Sequence, residues 1–327
     1  GGLETPRLLL AAKIGNENDV VGRYYMCHMA GNVGEVRFST RTNAIHHGYY
    51  LSKDGIYCRR RFSLRPTEQK RLGVGNAIAR LHFPNITNPS HRSGILSGLC
   101  MAQRLISYEY GKRLRDAKSL GFQRWLGHAR NVLLDPLDTI GFAAHMVRDR
   151  VLTERKFPSI ILRNRNNIFS LDVHGEQEPN AASRVTISGD RFDALGMPRI
   201  KVDWKYAKAD IKTVAALLDT LGSEFLRAGV GRLNYMHELL EADLTRFGAY
   251  GGHHIGTARM GVDQRSSVVN ADCRVHNVDN LYLAGSAVFR TSSQANPTLT
   301  IVAMALRLAQ HLVANKVKAH EATQARR

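Results

Sequence analysis

The chain has 327 residues, 43% of them hydrophobic and 23% charged, a composition that supplies a sizeable core without disulfide or metal staples. No run reaches the roughly 18 to 20 consecutive apolar residues of a membrane-spanning helix, which excludes that class. The formal charge is +18 and uneven, because residues 58–166 hold 21 Lys and Arg against 7 Asp and Glu. In chain order, Gly1-Gly2-Leu3-Glu4-Thr5-Pro6 has no initiator Met, basic n-region or cleavage pattern and reads as the interior of a fold, so a fragment is expected. Thr5 is expected to cap a helix to Lys13, with Pro6 at its first position. A short strand and turn are expected at Val20–Arg23, and alternation predicts a half-exposed strand over 34–40.

Residues 63–157 read as mostly helical, and Leu99, Ala102, Leu105, Ile106 and Tyr110 form a stripe at helical spacing within Ser97–Arg115. The basic residues there fall on the opposite face, as on a solvated helix, and few aromatics interleave them as single-strand stacking would require. Residues 159–205 switch to strands at 160–162, 169–173, 184–188 and 200–204, which predicts an antiparallel sheet. A helix from Asp210, as its cap, to Ala228 buries Val214, Leu217, Leu218, Leu221 and Phe225. A strand over Asn280–Ala284 and a helix from Pro297 to Asn315 follow. That last helix offers Leu299, Val302, Leu306, Ala309 and Val313 as its buried stripe, and residues 317–327 read as a flexible tail.

Several chemistries are excluded by context. Gly73-Val74-Gly75-Asn76-Ala77-Ile78-Ala79 is a loose G-x-G-x-x-A pattern, but charged Thr67–Arg71 stands where a dinucleotide loop needs a buried strand. No G-x-S-x-G elbow exists, the histidines and carboxylates lack metal-ligand spacing, and Cys27, Cys58, Cys100 and Cys273 are far apart. Three pieces near the C-terminal end carry chemistry instead. His253-His254 lies between glycines, where an imidazole can accept a proton and a flat ligand can approach. Gly285-Ser286 turns the chain after a strand, and Asn296-Pro297-Thr298 is helix-start chemistry whose free N–H groups suit an electron-rich atom.

Together, His253-x-x-Gly256-Thr257-x-Arg259-Met260-Gly261, Asn280-Leu281-Tyr282-x-Ala284-Gly285-Ser286 and Asn296-Pro297-Thr298-x-Thr300 resemble the C-terminal domain of the glucose-methanol-choline (GMC) FAD-dependent oxidoreductases. Gly1-Gly2-x-x-Thr5-Pro6 is similar to a second signature of that family, and Val21–His28 to the segment leaving its flavin domain. Glu176-Gln177-x-Pro179-Asn180 with Ser183-Arg184-Val185 is similar to the substrate-domain sheet of its bacterial sugar and polyol dehydrogenases. The resemblance implies a mixed α/β fold: an incomplete FAD-binding domain and a substrate domain whose antiparallel sheet is covered by helices. It divides the chain into a flavin-domain remnant at 1–22, a substrate domain at 23–245 and a returning active-site segment at 246–316.

The implied reaction is hydride transfer from an alcohol carbon to the flavin, with His253 as base and Asn296 holding the substrate oxygen. Gly285, Ser286, Asn296, Pro297 and Thr298 would contact FAD, Gln177 and His254 the substrate, and no metal is implied. The substrate would be a small alcohol, sugar or polyol, and an electron-acceptor protein is a further partner the class allows. The family's G-x-G-x-x-G loop is not in this sequence, so the chain by itself is expected to bind FAD weakly or not at all, and its missing partner is the N-terminal FAD-binding segment. The alternative reading is a basic nucleic-acid or anionic-surface module with vestigial flavin motifs. Compartment stays open, the cytoplasm ahead of the periplasm.

Overall fold

A computed structural model of the chain describes residues 1–40, 45–102, 121–148, 152–154, 164, 166–246, 248–249 and 252–324. Among them, in chain order, stand helix α1 (Glu4–Ala12), strands β1 (Met29–Phe38), β2 (Tyr49–Leu51), β3 (Tyr57–Arg59) and β4 (Phe62–Ser63), helix α2 (Pro66–Leu72) and strand β5 (Ala77–His82). Helices α3 (Gly94–Met101), α4 (Phe122–Leu134) and α5 (Pro136–Met146) come next, then strands β6 (Ile168–Gly175), β7 (Arg184–Phe192) and β8 (Pro198–Asp203). Helix α6 (Lys208–Arg227), strand β9 (Gly231–Asn234) and helices α7 (His237–Thr245) and α8 (Thr298–Gln324) complete the order.

The central sheet has the order β4-β5-β6-β1-β9, with every neighbouring pair antiparallel. Side chains alternate across each strand, so Phe169, Leu171 and Val173 of β6 and Ala77, Ala79 and Leu81 of β5 enter one core. Against them packs the α6 stripe of Val214, Leu217, Leu218, Leu221 and Phe225, all buried as the helical spacing predicts. The other face of the same strands carries Arg80, Asp172 and His174, and Arg80 pairs with Asp172 at 2.7 Å across the register. Met29, Ala77 and Gly175 meet in register at one end of β1, β5 and β6, and this end adjoins His28 and His174.

A second core joins the two ends of the sequence. Leu9, Val20 and Val21 pack with Ala258, Val268, Val269, Val275, Ala287, Val288 and Leu308. The mixed α/β architecture with an antiparallel sheet is therefore present, but several elements differ from expectation. The predicted 159–205 sheet splits: β6 enters the central sheet, whereas β7 and β8 form a separate hairpin. That hairpin rests on α1, because Arg7 bonds the Asp193 carboxylate and the Pro198 carbonyl. Strand β5 interrupts the stretch read as helical, since Ile78, Arg80 and His82 alternate with core residues at a period of two. Of the expected Ser97–Arg115 helix, α3 covers the start, and residues 103–120 and the strand at 160–162 lie outside the described residues.

Local chemistry explains the smaller corrections. Helix α1 starts at Glu4 with no side-chain cap, so Pro6 stands within the first turn. Helix α6 starts at Lys208, and Asp210 acts from inside its first turn, accepting the Ala207 and Glu178 amides at 2.9 and 2.8 Å. Val21 and Gly22 make the expected turn, the strand there is reduced to one bridge between Arg23 and Arg184, and Asn280–Ala284 makes only the Arg274–Tyr282 bridge instead of a strand. Helix α8 continues to Gln324, through the expected flexible tail. Its predicted stripe is not buried either: Leu299 is 83% exposed and Leu306 62%, because Met304 and Leu308 are the residues that meet the second core. No helix among the described residues is long and apolar enough to cross a membrane.

Candidate active site

His253 sits in the left-handed region, at φ +57°, on an irregular stretch that leads into the Met26–Ile255 bridge. That bridge is made by reciprocal backbone bonds of 3.0 Å, and it fixes His253 and His254 beside Tyr25 and His28. The Gly256 amide bonds the Ser286 carbonyl at 3.2 Å, and the Ser286 hydroxyl donates to the His254 carbonyl at 2.8 Å. Thr257 is fully buried and donates to the Gly2 carbonyl at 2.8 Å. The glycine-rich opening, the double-histidine loop and the Gly285-Ser286 turn thus form one backbone-bonded unit.

Three imidazoles gather at the sheet end. His28, 1% exposed, meets the edge of His253 with ring centroids 4.9 Å apart, and the His174 ring centroid lies 5.6 Å from that of His28. Both nitrogens of His28 and Nδ1 of His253 are buried without a well-formed hydrogen bond, the Ser293 and Ala295 backbone being in looser reach of His28. Burial drives the His28 pKa from its ordinary 6.5 down to about 3, with the neighbouring His174 and His253 adding to the fall. Burial also lowers the pKa of His253, so both rings are neutral at pH 7. The backbone of Ser293 and Ala295 lies beside His28, which brings the segment leading to Asn296 against the same cluster.

That segment is anchored by residues at the ends of the central sheet strands. Ser292 exchanges hydrogen bonds with the Gln177 backbone at 2.9 and 3.2 Å, the Ser293 amide reaches Glu176 at 3.3 Å, and Arg61 donates to Gln294 at 3.1 Å. Gln177 itself is a correction. It is fully buried, its carbonyl oxygen accepts from the Cys27 amide and the Trp204 indole, and its amide donates to the Lys205 carbonyl. Fully buried and engaged at both ends of its side chain, it is held away from a substrate, and it clasps the linker before β1 to the β6 end.

Asn296 and Thr298 are exposed, Pro297 is buried, and the Pro297 carbonyl takes the first bond of α8, from the Ile301 amide at 2.9 Å. Asn296 therefore stands outside the cap position that the sequence pattern assigns it, and its amide is free of that duty. Part of the basic excess also turns inward: Arg59 donates to the Leu81 carbonyl, and Arg80 and Arg61 hold Asp172 and Gln294. Sequence reasoning missed His28, Tyr25 and His174 as site residues. His28 lies within the family-like 21–28 segment, but only the Met26–Ile255 bridge shows that it faces His253.

His28→Leu deletes two buried nitrogens that lack a well-formed hydrogen bond and keeps the apolar bulk, so at pH 7 the thermal midpoint is expected to hold or rise. The folded pKa lies below the unfolded one, so the folded state forgoes a proton that the unfolded state binds. That neutral-state stability is complete above pH 6.5 and is lost as the pH falls toward about 3. The variant lacks this loss, and its melting curve against pH should be the flatter between 6.5 and 3. Parallel curves for the two proteins would show that His28 contributes no such linkage.

Residues 179–305 match the family model described as GMC oxidoreductase. Paromamine 6'-oxidase of Streptomyces fradiae is 30% identical over 227 residues, 65% of this chain and 39% of that protein. C-glycoside 3-oxidase of Microbacterium trichothecenolyticum is 30% identical over 45% of this chain and 27% of its own length. The fructose dehydrogenase large subunit of Gluconobacter japonicus is 30% identical over 46% of this chain and 26% of its own length. The matched part thus spans well under half of these relatives. A solved structure of formate oxidase from Aspergillus oryzae aligns with 96% of this chain and 53% of its own, at 17% identity and a TM-score of 0.47. Residues 179–305 are thus similar to the GMC oxidoreductases, and within them the 253–257 and 285–286 loops are bonded to each other.

Proposed function

We propose that this protein oxidises a hydroxyl-bearing carbon of a sugar, polyol or related small alcohol, with FAD as cofactor, His253 as base and Asn296 as a holder of the substrate oxygen. The observation that carries the reading is the orphaned imidazole cluster: three buried ring nitrogens of His28 and His253 lack a well-formed hydrogen bond where loops 253–257, 285–286 and 292–297 converge. A buried polar group left unpaired costs about 1 to 3 kcal/mol, so such a cluster favours a bound group that completes it.

The residues present fit FAD at a second point. Gly285 has φ +120°, and no atom lies within 4 Å of where a Cβ would stand. A ring or chain can lie directly on that backbone. Gly285, Ser286, Asn296, Pro297 and Thr298 would hold the cofactor, which when bound supplies the acceptor for the hydride leaving the carbon. The Ser286 hydroxyl is engaged with His254, so backbone groups are what Gly285 and Ser286 offer. His253, kept neutral by burial, accepts the hydroxyl proton, and the Asn296 amide bonds the oxygen without competing for it.

The substrate class leans on the names of relatives, which include a C-glycoside oxidase and a fructose dehydrogenase large subunit. The latter name, a large subunit, is compatible with a further protein partner. Anaerobic mixing with paromamine, a C-glycoside, D-fructose and glycerol tests the reading, on protein supplied with the N-terminal FAD-binding segment and loaded with FAD. At least one is expected to bleach the flavin absorption, and bound FAD that none of them bleaches would remove the proposal. Reoxidation by dioxygen or only by an added dye then separates oxidase from dehydrogenase.

A further inference from the structure

Two histidines stand side by side at the candidate site, yet their surroundings differ. The phenol of Tyr25, 1% exposed, lies 2.6 Å from Nδ1 of His254, and the two rings stack at 5.7 Å with 21° between their planes. Burial raises the Tyr25 pKa, so the phenol keeps its hydrogen. It has one hydrogen to give, and Nδ1 of His254 is the acceptor in reach. A nitrogen that accepts this bond carries no proton, which places the imidazole proton of neutral His254 on Nε2. The His254 backbone is pinned as well, through Ser286 on its carbonyl. His253 shows the opposite pattern, with Nδ1 buried and unpaired. The two rings also sense each other, since a charge on His253 disfavours one on His254.

We propose that Tyr25 is a positioning residue that fixes His254 as its Nε2–H tautomer, so that His254 donates to the reacting oxygen of the substrate while His253 takes the proton. This rests on the alcohol-oxidising reading above. The alcohol O–H bond breaks, its proton goes to His253, and the electron pair left on oxygen is held by the Nε2–H of His254 together with the Asn296 amide. An adjacent donor whose tautomer were free to change would spend part of its time as a second acceptor, and a developing alkoxide gains nothing from that form. The neighbouring histidines are thus made unlike by one buried phenol.

Two measurements test the assignment. Histidine-labelled protein, without substrate, is read by long-range nitrogen–proton NMR. His254 is expected to carry its proton on Nε2 in the parent and to mix tautomers in Tyr25→Phe, whereas a parent protonated on Nδ1 overturns the proposal whatever the protein oxidises. The second uses the FAD-loaded protein and whichever of paromamine, the C-glycoside, D-fructose or glycerol it oxidises fastest. Tyr25→Phe is expected to lower kcat about 10-fold with KM little changed, as loss of one transition-state contact does. His254→Leu is expected to lose on the order of 30-fold, because Asn296 still shares the oxygen. His254→Gln keeps an acceptor for Tyr25 and an outward N–H, so it should recover most of the rate; a Gln variant as slow as Leu overturns the donor role, and it does so even if the Leu variant fails to fold. A parent that oxidises none of the four alcohols defeats the alcohol-oxidising reading instead, and leaves the NMR result to decide the tautomer.

Discussion

His253→Ala is expected to slow alcohol-driven bleaching of the flavin by about two to four orders of magnitude while FAD stays bound, as removal of a general base does. The residue earns this expectation from geometry. It is the ring that His28 touches edge-on, it stands on a left-handed backbone that turns it out of the Met26–Ile255 bridge, and burial keeps it neutral. The pH profile should carry its signature. A neutral base is the active form, and its pKa lies below the ordinary 6.5, so the parent holds its rate from neutral pH down past 6.5 and loses it as the pH falls through the lowered value. The alanine variant should lose that acidic limb along with the rate. If His254→Ala showed the large loss and the limb's disappearance while His253→Ala did not, the two histidines would have exchanged roles.

How much of this was legible in the sequence depends on whether the deciding contact is local. The α6 stripe was readable to the residue, because a helical period with an apolar face needs only one large partner surface, and the sheet supplies it. The α8 stripe had the same period, yet Leu299, Val302, Leu306 and Val313 are exposed. Periodicity reports which face a helix offers and says nothing of what lies opposite, and among the described residues only Met304 and Leu308 meet a core from that helix. Strand β5 was misread because Ala77-Ile78-Ala79-Arg80-Leu81-His82 mixes good helix formers with alternation. Its pairing to β6, about 90 residues away, overrides local preference. In the site, the signature loops named His253, Asn296 and Gly285, whereas Gln177 looked available until its three partners were placed. Tyr25 and His28 gain meaning only from a bridge between residues 26 and 255. No spacing rule reaches across that gap.

Gly256→Ala should be among the most damaging single changes in the chain, at about 3 to 5 kcal/mol of stability, because two separate penalties fall on one atom. The residue holds φ +90°, where a Cβ is strained by its own backbone. That Cβ would also stand 2.3 Å from the Tyr24 carbonyl oxygen and 2.7 Å from the Met26 methyl. The methyl can move, but the carbonyl cannot easily do so, since the next residue, Tyr25, is tied to Ser183 through its amide at 2.9 Å and its carbonyl at 2.7 Å. Relief must therefore part residues 24–26 from 255–256, which breaks the 3.0 Å bonds of the bridge and draws Tyr25 from His254. Gly285→Ala is the matching control, also at positive φ (+120°) in a region essentially reserved for glycine but with open space around its Cβ, so strain alone should cost about 1 to 3 kcal/mol. Urea unfolding of the two variants separates clash from strain, and similar midpoints for both would mean that the 255–256 backbone takes another path. The control has a further use, because the added methyl would occupy the surface on which FAD is proposed to lie. Gly285→Ala should keep most of its fold and lose flavin affinity, whereas Gly256→Ala should lose the fold that holds the two histidines in place.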